Sequence, residues 1–180
     1  MTPPLGAVLC GGASRRMGVD KATLRIDGVA MAARVAAALL AAGCSRVIAV
    51  GGDSAELRKL GLDDVADEFP GEGPLGGVLT ALSQGAPAVV LACDLANIQP
   101  ATVKALIEAL RSHDAAIAFT DRPEPLCAVW SPSSADLLRT QFLAGERAMH
   151  QAIDGLDVAW VTVAAGDLLN INTPADLRTL

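Results

Sequence analysis

The sequence predicts a single three-layer α/β domain with a mostly parallel but mixed central sheet and helices on both faces. Three observations carry that expectation. At 180 residues the chain has the size of one domain. Short runs rich in Val, Ile and Leu alternate with longer Ala/Leu-rich segments, the rhythm of buried strands feeding crossover helices. Hydrophobic residues make up 52% and charged residues 19%, which excludes intrinsic disorder and implies an extensive buried interior.

Taken in order, strands are expected at 6–10, 46–50, 64–66, 89–92, 115–119, 126–130 and 159–163, mostly short apolar runs bounded by Gly, Pro, Asp or Ser. Helices are expected at 30–42, 54–60, 75–84, 101–111, 133–143 and 174–180. Several ends carry their own punctuation. Gly43 follows the Ala-rich helix, Pro100 opens the fourth, and Thr173 precedes Pro174-Ala175-Asp176 at the last. Only residues 120–125 separate the strands at 115–119 and 126–130, too few for a helical crossover, so those two should pair antiparallel. No internal repeat, low-complexity tract or long linker divides the chain, and residues 1–180 read as one Rossmann-like domain.

Charge narrows the function. Fourteen basic against twenty acidic residues give a net charge of −6 and a pI near 4.8, against a broad nucleic-acid footprint or a polybasic membrane patch. Mean hydropathy is +0.41, yet the most apolar stretch, 29–44, is dominated by Ala and broken by Arg34, short of the ~20 apolar residues of a spanning helix. Met1-Thr2-Pro3-Pro4 has neither the basic nor the apolar region of a secretory signal, so a cytoplasmic chain is expected. Cys10, Cys44, Cys93 and Cys127 form no Cys-x-x-Cys pair and read as reduced, mostly buried thiols.

The most informative segment is Leu9-Cys10-Gly11-Gly12-Ala13-Ser14-Arg15-Arg16-Met17-Gly18-Val19-Asp20-Lys21. It leaves a strand and gathers glycines, a hydroxyl and three cations into one loop, the composition of a phosphate cradle. Gly11 and Gly12 let a ligand approach the main chain, whose successive N–H groups can form an anion-binding nest. Arg16 and Lys21 can then neutralise a triphosphate. The loop is neither a Walker string nor the dinucleotide-binding Gly-x-Gly-x-x-Gly.

Leu-x-Gly-Gly-x-Ser-x-Arg-Met-Gly followed by Asp-Lys resembles the nucleotide-binding signature of the nucleotidyltransferases, and within them the molybdenum cofactor guanylyltransferase (MobA) family. Three further elements resemble it at matching positions: Gly71-Glu72-Gly73-Pro74-Leu75-Gly76-Gly77, Ala92-Cys93-Asp94, and Asn170-Ile171-Asn172-Thr173-Pro174-Ala175-Asp176-Leu177. The resemblance spans essentially the whole chain. It implies attack on the α-phosphate of GTP by the terminal phosphate of molybdopterin, giving the guanine dinucleotide cofactor and pyrophosphate. Implied partners are GTP, the molybdopterin cofactor, and the proteins that deliver and receive it.

Both reactants are anions, so positioning and charge neutralisation should dominate, without a strong base. Arg16, Lys21 and Asp94 are the candidate catalytic residues. Asp94 follows an apolar run and should emerge at a strand's carboxyl end, where open α/β sheets bind ligands. One carboxylate there, completed by phosphates and water, suits Mg²⁺; the alternative is a cap for the next helix. Asp67, after the strand at 64–66, falls at a position the resemblance assigns to nucleotide contact, and otherwise belongs to a solvated acidic loop. Gly77 either borders the pterin phosphate through its backbone or permits close helix packing. Asn170 and Asn172 alternate in an extended stretch and either hydrogen-bond the pterin or form caps and turns.

The resemblance also bears on the base. The guanylyl branch carries Leu-Ala-Gly-Gly and Pro-Leu-Ala-Gly where this chain has Leu9-Cys10-Gly11-Gly12 and Pro74-Leu75-Gly76-Gly77. The distinguishing glycines are kept, while Cys10 and Gly76 replace alanines. Guanine donates from N1–H and N2–H₂, and the main-chain carbonyls of Leu9 and Cys10, followed by Gly11, can accept there. The asparagine frequent in the family near Val50 is absent, with Gly51, Gly52 and Asp53 in its place. CTP on the same cofactor, or an NTP on a sugar phosphate, is the alternative substrate, and a non-catalytic GTP- or cofactor-binding module the alternative class. His113 and His150 read as surface residues, Trp130 and Trp160 as core, and Cys93 as a buried strand residue.

Overall fold

The computed structural model of the chain describes residues 2–11 and 21–169. Its strands are β1 (Leu5–Leu9), β2 (Arg25–Ile26), β3 (Val29–Ala30), β4 (Arg46–Val50), β5 (Asp63–Val65), β6 (Ala88–Ala92), β7 (Ala115–Phe119), β8 (Pro123–Trp130) and β9 (Val158–Thr162). Its α-helices are α1 (Met31–Ala41), α2 (Ser54–Lys59), α3 (Pro74–Leu82), α4 (Pro100–Leu110), α5 (Ala135–Leu143) and α6 (Met149–Ala152). Among the described residues seven strands form one sheet in the order β5-β4-β1-β6-β8-β7-β9. β1 pairs parallel with β4 and β6, β4 with β5, and β7 with β9, whereas β8 runs antiparallel to both β6 and β7. The mixed sheet and its antiparallel excursion match the expectation, since residues 120–122 reverse the chain directly.

Alternation along the strands divides the interior into two layers. Val8, Ala49, Val89, Leu91 and Val129 face α1 and α4 through Val35, Leu39, Val103 and Leu106. Ala7, Leu9, Ile48, Val90 and Trp130 face α3, α5 and α6 through Leu75, Leu79, Leu138, Phe142 and Met149. Because β1 and β6 are covered on both faces, they read in sequence as unbroken apolar runs without polar alternation. Burying one such Leu or Ile side chain is worth about 1.5–3 kcal/mol.

Several elements differ from expectation. The β2–β3 ribbon turns at Asp27 (φ 50°) and Gly28 (φ 81°), an Asp-Gly pair that supplies the two left-handed positions of a tight hairpin. β8 begins at Pro123, before residue 126, and a register shift between Ile117 and Ala118 takes up the irregularity. α5 begins at Ala135, because Ser131 and Pro132 first form a 3-10 turn over Pro132–Ser134 in which the Ser131 hydroxyl accepts from Ser133 N–H. The strand after α2 is Asp63–Val65, one residue earlier than expected. Short α6 lay unread in the sequence. The helix expected at 174–180 lies outside the described residues.

Trp160 corrects the core expectation. Trp130 is fully buried in central β8, but Trp160 sits on edge strand β9, 51% exposed, with Phe119 against it edge-on at 6.2 Å. An edge strand has a neighbour on one side only, and periodicity alone does not distinguish it from an interior one. Cys93 is buried as expected, one residue beyond the end of β6. All four cysteines are buried and none forms a disulfide. Among the described residues no helix is long and apolar enough to cross a membrane.

Candidate functional site

From β1 the chain moves outward through α1 to β4 and through α2 to β5, then returns across the opposite face with α3 to reach β6 on the far side of β1. The winding therefore reverses between β1 and β6. At such a point the loops leaving adjacent carboxyl ends diverge and open a crevice. Leu9 lies opposite Ala92 in the ladder, so Cys10-Gly11 and the turn containing Asp94 flank one opening.

The first wall is the end of β1. Cys10 and Gly11 both donate N–H to the Val50 carbonyl, at 2.9 and 3.2 Å, and Cys93 N–H donates to the Leu9 carbonyl at 3.2 Å. Leu9 and Cys10 are buried while Gly11 is exposed. The Leu9 carbonyl thus belongs to the sheet ladder and offers a ligand only its second lone pair. Beyond Gly11, Gly12 and Arg16 lie outside the described residues.

The second wall comes from β4 and β5. Gly51 has φ 70° and packs so closely that a Cβ on it would stand 3.0 Å from Gly11 Cα, and Gly52, with φ 86°, would place one 3.1 Å from Cys10 Cβ. Both positions need glycine, for conformation and for space. Asp53 is taken up elsewhere, its carboxylate accepting from Ala55 and Glu56 N–H at 2.9 and 3.1 Å as the N-cap of α2. Of the three residues standing where the family has asparagine, two glycines border the crevice and the acid caps a helix.

Asp67, partly buried, closes this side. Its Oδ1 accepts from Phe69 N–H at 2.9 Å and lies 3.2 Å from the Thr80 hydroxyl, while its Oδ2 stands 3.9 Å from where a Cβ on Gly11 would be. Asp67 is therefore not a freely solvated loop residue. Thr80, fully buried inside α3, was not singled out in the sequence. A hydroxyl within an otherwise apolar helical stretch, with little to explain it but a partner, was its available signal.

Gly71 (φ 84°) and Gly73 (φ 91°) make the turn before Pro74 starts α3, whose N-terminus has no side-chain cap. Glu72, between them, accepts from Arg147 Nε at 2.8 Å, and the same guanidinium lies 3.8 Å from the Phe142 ring centroid. Arg147 is a second residue the sequence left unmarked, because the chain separation hides the pair. Gly77 is buried, and a Cβ on it would come within 2.9 Å of Leu9 Cδ2. The first turn of α3 is thereby seated directly on the end of β1.

The third wall holds the charges. Asp94 lies in the turn after β6, its side chain 23% exposed, and Lys21 Nζ reaches its Oδ2 at 3.4 Å from the opposite lip. Asp94 is not the cap of α4, since Gln99 occupies that position. The structure thus joins Lys21 to Asp94, and Gly11 to Asp67. Asn170 and Asn172 lie outside the described residues. One accessible carboxylate beside a lysine provides an oxygen ligand and a phosphate-neutralising cation together. Among the described residues there is no cluster of three or more His, Cys, Asp or Glu able to hold a metal alone.

His113 and His150 stand apart from the crevice. His113 precedes β7 at the opposite end of the sheet, with Nδ1 3.0 Å from an Asp157 carboxylate oxygen, and His150 is exposed on α6.

Residues 6–159 match the model of the MobA-like NTP transferase domain. A protein of Chloroflexus aggregans named a probable molybdenum cofactor guanylyltransferase is 38% identical, over 96% of this chain and 91% of its own. A protein of Opitutus terrae with the same name is 37% identical over 84% of this chain and 78% of its own. The crystal structure of molybdopterin-guanine dinucleotide biosynthesis protein A from Archaeoglobus fulgidus superposes with a TM-score of 0.80 at 28% identity, covering 97% of this chain and 95% of that one.

Proposed function

Because the chain belongs to the MobA-like NTP transferase domain family, we propose that it is a molybdenum cofactor guanylyltransferase, transferring GMP from GTP to molybdopterin. A terminal phosphate oxygen of the pterin attacks the α-phosphorus. A new P–O bond forms there, the α–β bridging bond breaks, and its electron pair leaves with pyrophosphate. The observation that carries this reading is the pairing of Lys21 with Asp94 across the crevice where the sheet's winding reverses, in a chain whose relatives bear that name.

Each role follows from charge and placement. Lys21 sits at the lip with its side chain 20% exposed, near enough to the opening to neutralise phosphate oxygens as charge builds on the leaving group. Arg16, five residues earlier in the chain, shares that task. Asp94 would hold Mg²⁺, exchanging its contact with Lys21 for the ion and leaving Lys21 to the nucleotide. When bound, Mg²⁺ supplies charge neutralisation of the phosphates and alignment of the leaving group. The main chain at Leu9, Cys10 and Gly11 frames guanine, and Asp67 faces the nucleoside. Gly77, Asn170 and Asn172 receive the pterin, the cofactor passing from a delivering protein to a molybdoenzyme in the cytoplasm.

The test is pyrophosphate release by the purified protein with Mg²⁺, carrier-bound molybdopterin and either GTP or CTP, beside an Asp94→Ala control. Release with GTP, lost in the control, is expected. Release with CTP instead would overturn the base assignment, and tight GTP binding without release would replace the transferase by a binding protein.

A further inference from the structure

Thr80 is one of three buried polar or charged residues among those described, and it has no exposed surface. Its hydroxyl meets three groups. Glu68 N–H donates to Oγ1 at 3.0 Å, the Gly76 carbonyl lies 2.9 Å from it, and Asp67 Oδ1 lies 3.2 Å from it. A hydroxyl has one proton. It accepts from Glu68, and its proton is shared between the helical carbonyl one turn back and the Asp67 carboxylate.

An ordinary buried threonine in a helix needs only the bond to the carbonyl four residues earlier. Here the hydroxyl also holds the loop that carries Asp67, gripping it at the Glu68 backbone and at the Asp67 carboxylate. With Oδ1 fixed by Thr80 and by Phe69 N–H, the carboxylate has one orientation, and Oδ2 has no hydrogen-bond partner among the described residues while lying beside Gly11. The same Thr80 contact reaches Gly76, in the first turn of α3 next to the Gly77–Leu9 contact. One buried hydroxyl therefore ties together the acid loop, the second glycine motif and, through Gly77, the end of β1.

We propose that Thr80 is a positioning residue for nucleotide binding, orienting Asp67 so that its outward oxygen receives an O–H or N–H donor of the nucleoside. The inference rests on the transferase reading and extends it to a residue that touches no substrate. It also separates binding from chemistry: Asp67 and Thr80 act on the nucleoside side of the crevice, whereas Lys21 and Asp94 act on the phosphates.

The test compares Thr80→Val, which keeps the shape and removes the hydroxyl, with Thr80→Ser, which keeps the hydroxyl, each in wild-type and Asp67→Asn backgrounds. Readouts are equilibrium GTP binding, KM and kcat for pyrophosphate release, and the thermal midpoint. Thr80→Val should weaken GTP binding and raise KM about tenfold, the scale of losing one hydrogen bond to a charged group, with kcat within about twofold. Thr80→Ser should restore binding to within about threefold of wild type even where it fails to restore the thermal midpoint. In Asp67→Asn the valine substitution should add little to KM while still lowering the midpoint.

Equal KM for Thr80→Val and wild type, equal loss in the serine and valine variants, or a full further loss in Asp67→Asn would each overturn the proposal and leave Thr80 a structural residue. The failure of the proposed function is distinguishable. If the wild type turns over CTP in place of GTP, the guanylyl assignment falls and the same comparison, read with CTP, decides Thr80. A wild type that binds neither nucleotide overturns both.

Discussion

Gly76→Ala restores the alanine that the guanylyl pattern carries at this position, and the structure says it should nevertheless harm the protein. Gly76 is helical, so its backbone accepts alanine, and replacing an interior helical glycine contributes about 1 kcal/mol of stability. Against this, the new Cβ would stand 2.9 Å from Phe69 Cβ and 3.3 Å from the Phe69 carbonyl oxygen. Neither atom is the movable end of a side chain. Phe69 is also held by its ring contact with Phe142 at 4.6 Å and by its N–H bond to Asp67. Overpacking of this kind costs about 1–3 kcal/mol. With the middle of that range the clash wins by about 1 kcal/mol, a fall of about 2–4 °C in the thermal midpoint for a chain of this size. Phe69 can yield only by moving the Asp67 loop, so KM for GTP should rise as well. Urea titration and steady-state pyrophosphate release on Gly76→Ala check both effects. Gly77→Ala is the control, because its added Cβ meets the flexible end of Leu9 at 2.9 Å and should cost less stability. A Gly76→Ala protein as stable as wild type or more so, with unchanged KM, would refute the reasoning.

Two further expectations concern protonation. The Asp64 carboxyl is held below its ordinary value of 3.8, first by its hydrogen bond from Arg58 and then by that from Ser54. The folded state therefore releases this proton more readily than the unfolded chain, and the contribution is present above pH 3.8 and lost as pH falls through and below it. Asp64→Asn should lower the urea midpoint modestly at pH 7, with the gap to wild type closing on acidification; a gap that stays constant to pH 3 would contradict the assignment. Burial pushes the thiols of Cys44 and Cys127 up to about 12, so both should resist a thiol-modifying disulfide reagent at pH 8 until the protein is unfolded. Because the unfolded thiols ionise near 9.0, stability should decline as pH rises from there toward 12. Rapid modification of Cys44 or Cys127 in the native state, followed by peptide mapping, would count against their burial.

Much of the site was legible because its chemistry is local in the chain. A strand running into Gly11-Gly12 and a cluster of cations, or an apolar run ending in Asp94, announces itself within a dozen residues. Lys21, Asp94 and Gly11 could be named this way and Asp67 only through the family resemblance, and the structure places Lys21 against Asp94 and Asp67 beside Gly11. Thr80 and Arg147 escaped because their meaning lies in partners that the sequence does not adjoin, 13 residues away at Asp67 and 75 at Glu72. The Asp27-Gly28 turn joins strands of two residues each, which offer no period to detect in the sequence.

The amino-acid order by itself determined the alternation of strands and helices, the antiparallel return between the strands expected at 115–119 and 126–130, and the composition of the glycine- and cation-rich segment after β1. These depend on short-range sterics, hydrophobic periodicity and residue chemistry, all written in consecutive residues. Only the tertiary structure decided the strand order, and with it which loops share the crevice. It also decided that Asp53 caps a helix while Asp94 meets Lys21, and that Trp130 is buried while Trp160 lies at an edge. Each of these depends on which segments become neighbours, a choice made by packing the whole sheet between its two helical layers.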